Sequence, residues 1–152
     1  MTTNEVLARQ NFLTKLVLTN GNDELSKDLK VKVIKMRIEY GKVRKAFDAD
    51  LEEFVKNLDQ TRLRELQEIA EDERTNDEKA ELQSLIDKIN ADYNAYVISR
   101  GKDEVSVNTA SFTEDEFNEL VVVNAGNDVE INGTKLSAAD FLEILYSLFV
   151  EA

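Results

Sequence analysis

A run of apolar residues in heptad spacing between residues 28 and 59 constrains the fold of this chain more than any other feature. Nine residues form the run, at steps of three or four: Leu29, Val33, Met36, Tyr40, Val43, Phe47, Leu51, Phe54 and Leu58. The spacing predicts one long helix, because it keeps a single apolar seam turned towards neighbouring helices. At about 1.5 Å per residue, this helix would extend over roughly 48 Å. The chain has no proline that would interrupt it.

The chain on either side of the long helix also has helical patterns. Residues 4–18 are predicted to form a helix with Thr3 as its N-cap. Residues 75–78, Thr-Asn-Asp-Glu, have the form of a capping box, in which a hydroxyl and a carboxylate each accept a hydrogen bond from a free backbone amide. They predict a helix over 76–100 with Gly101 as its C-cap. Its length and apolar stripe make it the expected antiparallel partner of the long helix.

The C-terminal part of the chain combines short strands with two helices. Around residues 105–107, valines alternate with polar residues, as in a short strand. A second capping box, residues 113–116, begins a helix. Asn132 and Gly133 predict a β-hairpin over 129–136, because this dipeptide fits the positive φ angles of a type I′ turn. A final, strongly apolar helix follows the hairpin.

Together these elements predict a mainly α protein. We expect a long antiparallel helical hairpin and an N-terminal helix in residues 1–100. A small α+β module, made of the Asn-Gly β-hairpin and the apolar terminal helix, is expected in residues 101–152. A chain of 152 residues can bury close to 70% of its unfolded surface. The two regions are therefore expected to form one cooperative unit without disulfides or metal ions.

The amino-acid composition argues against an enzyme. The chain contains no histidine and no cysteine, which excludes Ser-His-Asp and Cys-His nucleophiles and zinc sites of the usual kind. Residues 128–133 resemble the start of an EF-hand loop, but Ala139 stands where calcium needs a bidentate glutamate. We assign these residues to the hairpin. Since no phosphate-binding or nucleophile-elbow motif is present either, we expect no catalytic residues, no cofactor and no metal.

Charge is distributed unevenly along this acidic chain. The formal net charge is −12. Residues 27–45 contain eight basic and two acidic side chains, whereas residues 101–152 contain eleven acidic and two basic ones. This polarity favours head-to-tail contacts between copies, or pairing of the two ends, and makes nucleic acid an unexpected partner. Residues 1–11 lack the pattern of a signal peptide, and no apolar run is long enough to span a membrane. A soluble intracellular protein with no membrane partner is expected.

Two sets of residues are candidates for an interaction surface. The terminal helix is apolar around nearly its whole circumference, so it is either the central core helix of its own fold or partly buried against a partner chain. The basic stretch either follows the phosphates of a nucleic acid or forms the solvated side of the long helix, paired with acidic segments of this chain or of a neighbour. The candidate interaction residues are Phe141, Leu145, Leu148 and Phe149 of the terminal helix, and Lys35, Lys42 and Lys45 of the long helix.

Three segments make the chain resemble small helical accessory and structural proteins of tailed bacteriophages. They are Asn11-Phe12-Leu13 with Leu16 near the N-terminus, Tyr40–Lys45 in the long helix, and Ile131–Glu143 near the C-terminus. The resemblance covers the whole chain in general organisation. It implies a protein that assembles in many copies at the head, neck or tail of a particle, and it carries no catalytic residues over to this chain.

Two functions of different classes follow from these observations. The first is a non-enzymatic structural or assembly protein that acts through helix-mediated contacts with itself or with other assembly proteins, as a homo-oligomer or within a larger complex. As a phage component it would be found in the host cytoplasm and in the virion. The alternative is an acidic inhibitor that imitates nucleic acid and binds a host nucleic-acid enzyme, which the net charge of −12 supports and the basic stretch at 27–45 opposes. An enzyme that uses carboxylates alone would need a deep pocket with paired acids.

Overall fold

The computed structural model of the protein describes residues 1–150 and is mainly helical. Its helices are α1 (Thr3–Lys15), α2 (Lys27–Lys56), α3 (Thr61–Glu68), α4 (Asn76–Gly101), α5 (Glu114–Asn124) and α6 (Ala138–Phe149), with a short 3-10 helix at Glu71–Glu73. Two small antiparallel hairpins are formed by β1 (Thr19–Asn20) with β2 (Asp23–Glu24), and by β3 (Val129–Ile131) with β4 (Thr134–Leu136). The predicted fold class, mainly α with a small C-terminal hairpin and a terminal helix, is confirmed.

The chain divides into two compact units. The first contains residues 1–44 and the chain from Glu104 onward, and the second is Lys45–Asp103. These boundaries differ from the predicted division between residues 1–100 and 101–152. The reason is that the C-terminal segment packs on the N-terminal residues. For example, the guanidinium of Arg9 in α1 donates a hydrogen bond to the Leu148 carbonyl at 2.9 Å.

The core of the first unit forms around α6. Phe141, Leu145 and Phe149 are at most 2% exposed. The Phe149 ring lies edge-on to Tyr40 of α2, with ring centroids 6.3 Å apart, and its centroid is 5.9 Å from that of Phe112. Helices α1, α2 and α5 supply further buried side chains: Val6, Leu13, Leu29, Val33, Met36, Leu120 and Val123. Of the two alternatives for the terminal helix, the structure supports the central core helix.

The second unit contains the C-terminal part of α2, α3, the short 3-10 helix and α4. Leu66 of α3 is fully buried, and α4 runs alongside the last part of α2. Asp50 of α2 and Arg100 of α4 form an ion pair at 2.7 Å. Farther along, the ring of Phe54 stacks on Tyr96 with centroids 4.3 Å apart. The pairing of 50 with 100 and of 54 with 96 shows that the two segments run antiparallel, as predicted. The predicted partnership therefore involves only the last part of α2, because residues 27–44 of this helix belong to the first unit.

Four local predictions are wrong. The helix predicted over 4–18 ends at Lys15, and the C-cap of α4 is Lys102, with Gly101 as the last helical residue. The N-cap of α1 is Thr2, not Thr3: its hydroxyl accepts a hydrogen bond from the Glu5 amide at 3.3 Å, and the Glu5 carboxylate accepts one from the Thr2 amide at 2.7 Å. Residues 105–107 form no strand. The Val105 amide donates to the Met1 carbonyl beside a single bridge between Thr2 and Glu104. Alternation alone cannot make a strand where no extended partner lies alongside it.

Three capping boxes begin α1, α4 and α5, with Thr2, Thr75 and Thr113 as the N-caps. The third is tied to α2, because the Glu116 carboxylate also accepts a hydrogen bond from the Lys32 ammonium at 2.6 Å. Burial of Glu116 would raise its pKa, but the hydrogen bonds from Lys32 and from the Thr113 amide outweigh that effect and leave the pKa lowered. The stabilisation that the Glu116 carboxylate contributes is therefore complete at pH values above the ordinary glutamate pKa. It is lost as the pH falls through the lowered pKa.

We expect Glu116→Gln to lower the melting temperature by about 2–4 °C at pH 7, corresponding to about 1 kcal/mol in a domain of this size. The variant should also lose less stability than the parent protein between pH 5 and pH 3, since it has no carboxylate to protonate there. Thermal unfolding followed by circular dichroism at several pH values measures both effects. Glu68→Gln, at an exposed position in α3, controls for the loss of one negative charge. The prediction would be contradicted if the melting temperatures of Glu116→Gln and of its parent fell in parallel between pH 5 and pH 3.

Candidate interaction surface

The predicted apolar interaction residues lie in the core. Phe141 and Leu145 are fully buried and Phe149 is 2% exposed, while Leu148 is half-buried and packs against the same cluster. Their apolar surface is covered by α1, α2 and the segment around Phe112, so a partner chain is not needed to bury it. The extent of this coverage follows from long-range packing, and the apolar circumference of the helix gave no sign of it.

Half of the basic residues in the stretch 27–45 hold the first unit together. The guanidinium of Arg37 donates to the Leu13 carbonyl at 2.9 Å and to the Leu16 carbonyl at 2.5 Å, and so satisfies the free end of α1. Burial lowers the pKa of Arg37. Arg44 donates to the Asn11 side chain at 2.9 Å. Lys30 forms an ion pair with Glu24 and Lys32 forms one with Glu116. These four cations therefore form contacts within the first unit.

Three other lysines of the first unit lie on the exposed side of α2, together with three exposed aliphatic residues. We call this set the α2 outer face, and its members are Lys27, Val31, Ile34, Lys35, Ile38 and Lys42. The three aliphatic side chains are 42%, 44% and 55% exposed in chain order. Their spacing of i, i+3 and i+7 places them in one row, on the side of α2 opposite the buried seam. Lys45, the remaining predicted cation, is also exposed but belongs to the second unit.

The aliphatic row of the α2 outer face was missed in the sequence, although the signal was present. Residues 31, 34 and 38 repeat at helical spacing just as the heptad seam does. Because the heptad seam alone accounts for the helix, the second, shorter stripe was not predicted as an interaction site. One helix thus carries two apolar stripes, of which the structure buries only one.

A cleft of about 290 Å³ lies along one edge of the α2 outer face, between α2 and the segment before α5. It is lined by Asp28, Val31, Lys32, Lys35, Met36, Glu39, Asn108 and Ala110. Among these, Glu39 forms an ion pair with Lys42 at 2.7 Å. The side chains of Lys27 and Lys35 make no ion pair within residues 1–150. The arrangement offers aliphatic surface and positive charge, which suits binding of an acidic, amphipathic group.

The α2 outer face consists of lysine ammonium groups and aliphatic side chains. Residues 1–150 contain no cluster of three or more acidic side chains placed to hold a metal ion. Across the same residues, no helix is both long enough and apolar enough to cross a membrane. The lysines of the α2 outer face are exposed, and lysine ammonium groups at such positions act as mobile, hydrated point charges. Such a surface can attract an acidic, amphipathic group and bind it.

Comparison of the chain with models of protein families, with curated proteins and with solved structures finds no match. The resemblance to structural proteins of tailed phages therefore stays a prediction.

Proposed function

We propose that this protein is a non-enzymatic structural protein that acts through helix-mediated protein–protein contacts, as a component of a larger assembly such as a phage particle. The observation that carries the proposal is the α2 outer face, an exposed aliphatic row flanked by lysines on a protein of net charge −12. The contact site is thus the outer side of the long helix, and the core residues of α6 support it from within the fold.

The aliphatic row differs from ordinary exposed apolar residues. Single exposed aliphatic side chains are common on protein surfaces. Here three β-branched residues follow one another at i, i+3 and i+7, the pattern of anchors by which a helix meets a groove or another helix. Fully burying one isoleucine contributes about 1.5–3 kcal/mol, so covering the exposed half of Ile34 or Ile38 is worth about 1 kcal/mol each. The lysines then select an acidic partner and set its register.

A synthetic amphipathic helix tests this function. The probe carries leucines at i, i+3 and i+7 flanked by glutamates, and its counterpart replaces the glutamates by lysines. We expect the acidic peptide to bind, to bind more weakly at high salt, and to shift the NMR signals of the α2 outer face. The basic peptide should leave the NMR signals of the α2 outer face unchanged.

Ile34→Ser combined with Ile38→Ser should weaken binding of the acidic peptide about tenfold or more, at about 1.4 kcal/mol per tenfold change. Serine and isoleucine have similar helix propensities, so α2 should stay intact. Val122→Ser, at a 57% exposed position on α5, is the matched control and should bind as the parent does. Binding of the acidic peptide that persists in the double variant, or its failure to bind the parent protein, would refute the proposed site.

An acidic inhibitor that imitates nucleic acid remains the alternative function. Such an inhibitor presents a continuous acidic face to a basic cleft. The exposed lysines of the α2 outer face count against this function on that side of the molecule. Tight, salt-sensitive binding to a nucleic-acid enzyme that DNA competes away would favour the inhibitor over the assembly protein.

A further inference from the structure

A second exposed surface of the first unit has the opposite character to the α2 outer face. It is a groove of about 430 Å³ along α6, lined by Leu136, Asp140, Glu143, Ile144 and Ser147. We call it the α6 groove. Asp140 and Glu143 are exposed, and neither carboxylate forms an ion pair within residues 1–150. Leu136 and Ile144 are half-buried and add an aliphatic floor.

The two surfaces match in charge, in apolar character and in length. The α2 outer face combines lysines with valine and isoleucine, while the α6 groove combines carboxylates with leucine and isoleucine. The row from Val31 to Ile38 and the row from Asp140 to Ser147 each contain eight residues, whose seven steps extend over about 10 Å of helix. Two such helix faces can therefore pack along each other with aliphatic side chains in the middle and opposite charges at the edges.

The two surfaces cannot meet within one molecule. Helices α2 and α6 turn their buried sides to the same core, where Tyr40 of α2 meets Phe149 of α6 at a ring distance of 6.3 Å. The α2 outer face lies on the side of α2 away from this core, and the α6 groove lies on the side of α6 away from it. Each surface is thus open only to another molecule.

We propose that the α2 outer face of one copy of this chain binds the α6 groove of the next copy. This inference rests on the proposed function, since it names the partner of the same site. The contact is heterologous, so repeating it produces a ring if the rotation closes and a filament if it does not. The symmetric alternative, in which two α2 outer faces pair with each other, brings lysines against lysines and is disfavoured.

Charge reversal tests this arrangement. The first variant combines Lys35→Glu with Lys42→Glu, and the second combines Asp140→Asn with Glu143→Lys. Asparagine at position 140 removes the negative charge of Asp140 without placing a cation in the first turn of α6, where it would oppose the helix dipole. We expect the parent protein to exceed its monomer mass of 17.3 kDa in light scattering after size exclusion at low salt, and to dissociate at high salt. Each variant alone should be monomeric, with affinity between copies reduced at least tenfold.

Mixing the two variants should restore assembly. In the mixture, the acidic α2 outer face of the first variant can bind the basic α6 groove of the second. The native α2 outer face of the second variant can bind the native α6 groove of the first. Assemblies that contain equal numbers of both variants should therefore form. Asp72→Asn with Glu73→Lys changes the net charge by the same amount as the second variant, at exposed positions in the second unit, and should assemble as the parent does. Circular dichroism checks that every variant is folded.

A parent protein that is monomeric at both salt concentrations would overturn the inference, as would variants that assemble normally or a mixture that stays monomeric. Such results leave the proposed function standing if the acidic peptide still binds the α2 outer face. Failure of peptide binding, by contrast, refutes the proposed function itself, so the two failures are distinguishable.

Discussion

Replacing Phe149 by alanine is expected to destabilise the protein by about 3–5 kcal/mol, the usual range for removing a buried aromatic side chain. Phe149 is 2% exposed. Its ring contacts those of Tyr40 and Phe112, with centroids 6.3 Å and 5.9 Å away, and the guanidinium of Arg9 lies 5.5 Å from its centroid. Truncation leaves a cavity where α1, α2 and α6 meet, and it removes the attraction between the ring and the cation.

Urea unfolding followed by circular dichroism measures this effect. A loss of 3–5 kcal/mol is a large part of the 5–15 kcal/mol that typically stabilises a folded protein, so the midpoint should shift strongly. Val122→Ala, at an exposed site on α5, should change stability by less than about 0.5 kcal/mol. A loss below about 1 kcal/mol in Phe149→Ala would contradict the packing of α6 described here.

The burial of α6 determines which substitutions can test an interaction surface. Aspartate at Leu145 or Phe149 would place an unpaired charge in the core and unfold the first unit. A loss of assembly in such a variant would therefore report on folding and would say nothing about an interface. Ile34 and Ile38 are suitable positions because they are 44% and 55% exposed.

The sequence predicted those elements whose signals are local. The heptad seam marks α2, and the capping boxes at Thr75 and Thr113 mark the first residues of α4 and α5 correctly. Asn132 and Gly133 have φ angles of +51° and +78°, as the predicted turn requires. In each case the deciding hydrogen bond or torsion angle lies within four residues of the signal.

Features that depend on distant residues could not be predicted. The sequence shows eight basic residues in the stretch 27–45 but not which of them are used inside the fold. Arg37 is used at the end of α1 and Lys32 at the start of α5, and only the folded chain shows that Lys35 stays exposed. The same holds for α6, whose apolar circumference suits a core helix and an interface equally well.

Asn124 is the second position where we expect a large effect, and it is a polar residue buried completely at the end of α5. Its side-chain oxygen accepts a hydrogen bond from the Val17 amide at 2.9 Å, and its nitrogen donates to the Val17 carbonyl at 3.3 Å and to the Leu120 carbonyl at 2.9 Å. The residue thereby fixes the chain after α1 to α5 in the way that a strand partner would.

Asn124→Ala should cost about 2–3 kcal/mol, because it leaves the backbone amide and carbonyl of Val17 without these partners in a largely buried place. Asn118→Ala, at an exposed position in the same helix, controls for the change in helix propensity.

Asn124→Asp provides a sharper test, since it keeps an acceptor for the Val17 amide but loses the donor and buries a carboxylate. Burial raises the pKa of such a group, so this variant should regain stability relative to Asn124→Ala as the pH falls from 7 to 5. Urea unfolding at both pH values measures this, and a loss for Asn124→Ala no larger than that for Asn118→Ala would show that these hydrogen bonds do not stabilise the fold.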